Sequence, residues 1–396
     1  MHVPAKPRAS RIRYCCRCVM PATKPDLLID DEGVCSACRS YEQRVEVDWT
    51  ARREELARVL DQYRAAPGSN YDCIVPVSGG KDSHFQVLTM LELGANPLCV
   101  TATTDMLTPI GRRNIENIKK FGVDYIEVSV NPVVRRRINR LCLEQVGDIS
   151  WPEHVTIFTI PMRIAVQLGI RLIVWGENPQ NEYGGPTGAA ATSRLDRRWL
   201  EEFGGLLGLR VRDLVGQYGI EERHLVQYTY PDEAAIQQSG VAGIFLGYYV
   251  PWDSLQNAVV AQAHGFETYP HAVEGALFNF ENVDNYQTGI HDYFKYLKFA
   301  FGRTTDHACM MLRRGRLQRS QAIEIVRKLD GKFPSTYCGL PIQSILDEID
   351  LGYDDFVRLC DRFTNKRLFV TDENGRLVKD RHGNLTKINY DNVDAS

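Results

Sequence analysis

Four short apolar runs recur in the chain: YDCIVPV from Tyr71, PLCVTAT from Pro97, DYIEVSV from Asp124 and IRLIVWG from Ile170. They are rich in valine and isoleucine and are separated by segments long enough for helices. Alternation of strand and helix in this way predicts an α/β fold, a doubly wound parallel sheet with helices on both faces. GIFLGYYVPWD reads as a further buried strand. Ligands of such sheets lie beyond the carboxyl ends of the strands, so the residues that end each strand are the first candidates for a site.

The first run ends in Ser78-Gly79-Gly80-Lys81-Asp82-Ser83, and a helix-length stretch follows. Glycines let the backbone approach an anion, a helix N-terminus points N–H groups at it, and a lysine adds a mobile positive charge. The spacing is not that of a Walker A loop, because Val75 stands at its first glycine and Asp82 replaces the hydroxyl residue after the lysine. A leaving pyrophosphate needs cations aimed at it, and a carboxylate beside phosphates is tolerable only when a metal screens it. IRLIVWG ends in Glu177 and Asn178, with Glu182 and Tyr183 just beyond. These four face the same crevice as candidates for magnesium, ribose or an acceptor, against the alternative of a solvated loop. Thr103 and Thr104, ending PLCVTAT, are candidates for the nucleoside side or for simple helix capping.

Ahead of the sheet, Cys15-x2-Cys18 and Cys35-x2-Cys38 stand 16 residues apart, the pattern of a four-cysteine zinc ribbon. Cys16 competes with Cys15 as ligand, but only Cys15 gives the two-residue gap. Four thiolates leave no open position, so the site reads as structural, with zinc favoured over an iron–sulfur cluster. Five of the 11 cysteines crowd into residues 15–38 and the rest are scattered, which fits a metal site and buried thiols in a reducing compartment.

With 44% hydrophobic and 24% charged residues the chain has an ordinary globular composition, and 396 residues suffice for several structural units. The expected organisation is a zinc-ribbon module at 1–48, a linker helix at 49–70, the sheet domain at 71–260 and a mostly helical region with an exposed tail at 261–396. Residues 194–240 read as a charged helical insertion or lid. A formal net charge of −3 gives no electrostatic case for nucleic acid, no apolar run is long enough for a membrane span, and the expected location is the cytoplasm.

SGGKDS resembles the PP-loop of the ATP pyrophosphatases (adenine nucleotide alpha hydrolase-like proteins). That resemblance implies that Ser78, Gly79, Gly80 and Ser83 cradle phosphates, that Lys81 neutralises the developing pyrophosphate and that Asp82 orients Mg2+. The cysteine ribbon, SGGKDS, WGEN with EYGG, YYVPWD and YLKFAFGRTTDHA follow one another in an order similar to that of the N-acetyl sugar amidotransferases, the WbpG/PseA-like family of lipopolysaccharide, O-antigen and nonulosonic-acid pathways. One departure is FAFGR, where a glycine is expected in place of Ala300. The resemblance implies that Asp253, Lys298, Arg303 and Thr305 line an acceptor pocket. For Lys298 and Arg303 a basic helix face paired with nearby acids is the alternative.

The activity so implied is that of an ATP-dependent C–N ligase converting an acetamido group into an acetamidino group, with Lys81, Asp82, Glu177 and Glu182 as catalytic candidates. No glutaminase is apparent within the chain: His2 stands where an N-terminal nucleophilic cysteine would follow the methionine. The expected ammonia source is a partner pair similar to the HisH glutaminase and HisF barrel of imidazole glycerol phosphate synthase. The acceptor is expected to be a sugar, either nucleotide-linked or a nonulosonic acid. The rival readings are a tRNA-thiolating PP-loop enzyme and a non-catalytic nucleotide-binding subunit.

Overall fold

The computed structural model describes residues 12–44, 46–64, 70–177, 194–195 and 207–388. Six strands form the main sheet: β1 (Cys73–Pro76), β2 (Pro97–Ala102), β3 (Asp124–Val128), β4 (Leu172–Trp175), β5 (Arg194–Leu195) and β6 (Ala242–Phe245). Their order is β3-β2-β1-β4-β6-β5, parallel throughout except that β5 runs against β6. The four runs singled out by their valine and isoleucine content are β1 to β4. Of the fifth run only the first three residues, Gly243 to Phe245, are in a strand, because the chain turns into a short 3₁₀ segment at Leu246–Tyr248.

α1 (Ser36–Arg44) belongs to the cysteine module, and the helices that cover the sheet are α2 (Trp49–Arg64), α3 (Lys81–Glu92), α4 (Pro109–Lys119), α5 (Pro132–Val146), α6 (Trp151–Leu168) and α7 (Glu233–Ser239). Successive strand residues point to opposite faces, and each face has its own core. Ile74, Leu98, Ile173 and Phe245 pack with Ile138 of α5 and Trp151 and Val155 of α6. Cys73, Val75, Cys99 and Val174 pack on the other side with Leu56 and Leu60 of α2, Val87 and Met90 of α3 and Ile118 of α4. The segment expected to be a linker helix is therefore one of the helices closing the sheet. Beyond residue 207 the segment read as a lid forms short 3₁₀ turns whose Leu214, Leu225 and Tyr228 are buried against the α5–α6 face, which fixes that part in place.

The rest of the chain holds the helices α8 (Ser254–Ala263), α9 (Thr288–Phe299), α10 (Arg303–Arg313), α11 (Arg319–Leu329), α12 (Ile342–Asp347) and α13 (Tyr353–Phe363), with a short antiparallel pair of Thr336–Tyr337 and Leu340–Pro341. α9 stops at Ala300, which has φ +59 and ψ 26 and is fully buried. This is the alanine of FAFGR where glycine was expected, and it holds the left-handed turn that glycine adopts at least cost. After α13, isolated antiparallel bridges Phe369–Lys387, Thr371–Leu377 and Lys379–Leu385 form two turns. They are not wholly exposed, since Phe369, Leu385 and Lys387 are buried. No described helix is long and apolar enough to cross a membrane.

Candidate active site

The order reversal between β1 and β4 places their carboxyl ends side by side, and the glycine-rich loop leaves β1 at that point. Gly79 has φ +91, and a Cβ there would meet Ile115 Cγ1 at 2.9 Å and the Gly111 carbonyl oxygen at 3.1 Å. Both the conformation and the space require glycine. Gly80 precedes α3, whose first turn holds Lys81 and Asp82. Ser83 folds back to accept a hydrogen bond from the Ser78 N–H at 3.0 Å, and the Ser78 hydroxyl accepts one from the Gly80 N–H at 3.3 Å. The loop is thus a preformed turn with its cation at the base.

The Lys81 ammonium lies 2.8 Å from Asp82 Oδ2 and 3.1 Å from Glu281 Oε1. Burial works to discharge Lys81, but the two carboxylates overturn it and hold the ammonium above its ordinary range. Burial likewise pushes Glu281 up, yet Lys81, His307 and a hydrogen bond from the Ser254 hydroxyl at 2.6 Å bring it down to about 2. The other Asp82 oxygen accepts from the Asn257 amide at 2.8 Å. Asp284, which accepts a hydrogen bond from Ser78, is pushed up by burial. These groups line a cavity of about 200 Å³ together with Glu177, Trp252 and Arg303. Asp82, Glu177 and Asp284 bring three carboxyl groups to the wall of that cavity.

Glu281 and Asp284 reach the loop from far along the chain because residues 283–286 are stitched to the end of β2. Leu107 and Asn285 form an antiparallel bridge, the Thr108 N–H donates to the Asp284 carbonyl at 2.9 Å, and the Tyr286 N–H donates to the Met106 carbonyl at 3.0 Å. The Asn285 amide donates to the Thr104 hydroxyl at 2.9 Å. On this side lies a second cavity of about 270 Å³, lined among others by Thr103, Thr104, His154 and His291. Ser78, Asn282, Asp284 and Arg303 line both cavities.

Residues 268–382 match the family model described as "LPS biosynthesis protein WbpG-like, C-terminal domain". The chain carries a WbpG-like C-terminal domain. None of the curated proteins compared matches the sequence. Among solved structures, NMN synthetase from Francisella tularensis is 11% identical, with 52% of this chain and 94% of that chain covered and a TM-score of 0.27. The NH3-dependent NAD synthetase from Campylobacter jejuni subsp. jejuni is 12% identical, with 58% and 100% covered and a TM-score of 0.27. A predicted subunit of tRNA methyltransferase from Methanocaldococcus jannaschii is 16% identical, with 46% and 93% covered and a TM-score of 0.22. The doubly wound fold of this chain stands on its own strand order.

The WbpG-like domain supplies Glu281, Asp284 and Arg303 to the two cavities, and the sequence pattern pointed only to the last. Arg303 is held by both oxygens of Asp292, at 2.8 and 3.2 Å. The other acceptor candidates are used differently. Lys298 donates to the carbonyls of Val146 and Gly147 at 2.7 and 2.8 Å, closing the end of α5. Thr305 is buried and donates to Asp330, which also accepts the Gly302 and Thr304 N–H groups at 2.9 and 3.1 Å and so caps α10. Asp253 caps α8 by accepting from the Leu255 and Gln256 N–H groups and pairs with Arg314 and Arg316 at 3.0 and 2.7 Å. All three are engaged in capping or helix-end hydrogen bonds, and none lines either cavity. Their neighbours Trp252 and Ser254 line the cavity instead. Asn178, Glu182 and Tyr183 lie outside the described residues. The missed acids sit in the segment FNFENVDN, where two carboxylates fall in a short run that follows no strand of the sheet.

Cys15, Cys18, Cys35 and Cys38 converge, all buried. Cys15 and Cys38 sulfurs are 4.0 Å apart and those of Cys18 and Cys35 3.7 Å, bracketing the ~3.8 Å edge of a tetrahedron with metal–sulfur bonds near 2.3 Å. Hydrogen bonds from Cys18, Cys35 and Cys38 hold the Cys15 thiol well below its usual range. Cys16 turns away toward the Glu32 carbonyl at 3.4 Å, leaving Cys15 as the knuckle's ligand. The donor set fits a zinc ion, which when bound would clamp the two knuckles together. The cluster shares one core with Phe301 and Cys309 of the WbpG-like domain region.

Proposed function

We propose that this protein is an ATP-dependent N-acetyl sugar amidotransferase of bacterial surface-polysaccharide assembly. The single observation that carries the reading is the common wall of Ser78, Asn282, Asp284 and Arg303, which lets a triphosphate on the loop meet an acceptor in the neighbouring cavity. The acceptor's acetamido oxygen attacks the α-phosphorus of ATP, the bond to the β-phosphate breaks and pyrophosphate leaves. Ammonia then attacks the activated carbon, AMP departs with the former amide oxygen, and loss of a proton leaves an acetamidine.

Lys81 is charged and aimed along the loop, which suits it to the leaving pyrophosphate. The Ser78–Ser83 turn holds the phosphates, and Thr103 and Thr104 flank the nucleoside side. Mg2+ arriving with the triphosphate, oriented by Asp82, would supply charge neutralisation. Arg303, oriented by Asp292, is suited to an acidic or phosphorylated acceptor. Ammonia would come from a separate HisH-like glutaminase through a HisF-like subunit. A sulfur-transfer reading is disfavoured because Cys73, beside the loop, is fully buried in β1 and its thiol is pushed up by that burial.

Incubation of the purified chain with ATP, ammonium and a panel of diacetamido uronic and nonulosonic acid sugars tests the proposal. AMP, pyrophosphate and a sugar in which NH has replaced one oxygen are the expected products. Glutamine should fail as nitrogen donor for the isolated chain. ATP cleavage without any change in the sugar sinks the reading.

A further inference from the structure

The cavity beside β2 has a feature that the reaction above does not use. We infer that Asp148, His154 and His291 form a second metal centre, a two-histidine, one-carboxylate site for a divalent transition ion on the wall of this cavity. One ligand atom from each of the three falls within 4.8 Å of the others. Asp148 sits in the turn between α5 and α6, His154 in the first turn of α6 and His291 in the first turn of α9. Both histidines present Nδ1 to the carboxylate, His291 at 2.8 Å from Oδ1 and His154 at 3.5 Å from Oδ2. Their rings meet edge to face with centroids 5.0 Å apart.

Two details favour an ion over a purely hydrogen-bonded cluster. His154 Nδ1 is shielded from solvent and makes no hydrogen bond. Its 3.5 Å separation from the carboxylate oxygen is near the ~3.3 Å edge expected between nitrogen and oxygen ligands bound at 2.0–2.1 Å around a tetrahedral ion. Second, the carboxylate is braced: the Ser150 N–H donates to Asp148 Oδ1 at 2.9 Å, the outer-sphere support usual for a ligating carboxylate. On binding, the ion would replace the hydrogen bond between His291 and Asp148.

Arg303 is taken by Asp292 and Lys298 by the carbonyls that end α5. His154 and His291 line the cavity with Ser78 and Asp284. An open coordination position would therefore face the acceptor, where it can hold an oxygen donor. Nitrogen and oxygen ligands together select zinc or a neighbouring first-row ion over magnesium.

The full chain, loaded with zinc and freed of excess, tests this by metal counting and X-ray absorption at the zinc edge. The expected result is two zinc ions per chain, with a mixed shell of sulfur and nitrogen or oxygen, falling to one with an all-sulfur shell in His154→Gln and in His291→Gln. A wild-type chain holding one zinc in an all-sulfur shell overturns the inference without reference to any variant. So does a His291→Gln protein of unchanged thermal midpoint that retains both ions. The outcome is independent of whether the sugar reaction is found.

Discussion

Glu281 stands 3.1 Å from Lys81, although 200 residues separate them in the chain. The WbpG-like domain thus contributes a buried carboxylate to the base of the glycine loop. Lys81→Ala is expected to lower pyrophosphate release by about 10²–10³-fold, the scale for removing one preorganised charge at a reacting group. Glu281→Gln keeps the shape but leaves Lys81 with Asp82 alone, and a smaller loss, about tenfold, is expected. Unchanged rates of release by Lys81→Ala would leave the loop without its assigned role.

Because the cysteine cluster shares a core with the helices after residue 290, metal loss should be felt well beyond the knuckles. Chelation of the ribbon ion, or Cys38→Ser, is expected to lower the thermal midpoint of the entire chain in one transition. A separate early transition, with the main one unmoved, would mean that the ribbon is energetically independent.

Ala300 occupies a left-handed turn in a fully buried position. Glycine there relieves about 1–2 kcal/mol of backbone strain but removes a buried methyl group worth about 0.8 kcal/mol. Ala300→Gly should therefore change stability by less than about 1 kcal/mol, whereas the β-branched Ala300→Val should cost more than about 2 kcal/mol. Denaturant titration of both variants decides it.

Lys387 is buried, donates to the Ala300 carbonyl at 3.2 Å, and is pulled down by burial to about 8 despite the opposing charge of Asp330. Between about 8 and its ordinary 10.5 the unfolded chain holds a proton that the folded chain has lost, so this group's contribution to stability rises with pH across that window. Lys387→Met should gain stability relative to the parent at neutral pH, by at most about 3 kcal/mol, and the difference should shrink as pH approaches 10.5. A difference that is flat with pH would contradict the assigned burial of the charge.

The parallel strands, the glycine turn and the cysteine knuckles were legible because each is written in a contiguous stretch. Val75 and Ile74 announce a buried strand, and Cys15 with Cys18 announces a knuckle, without help from distant residues. Glu281, Asp284 and Asp148 were not legible, because tertiary packing alone brings them to the strand ends. Asp253 and Thr305 show a related ambiguity: a polar side chain at a helix start also serves the local backbone, and its sequence pattern does not separate that from a ligand role. The missing glycine of FAFGR was visible in the sequence, and its meaning emerged only from the backbone angle at Ala300.

The joint core of the ribbon and the late helices bears on how the chain is made. Val34 and Cys35 leave the ribosome hundreds of residues ahead of Phe356 and Phe369, which complete the same apolar interior. During synthesis the knuckles must wait, uncovered, until translation is nearly finished. An ion bound early would shield the four sulfurs from oxidation through that interval, and metal supply would then bear on yield as well as on the finished molecule.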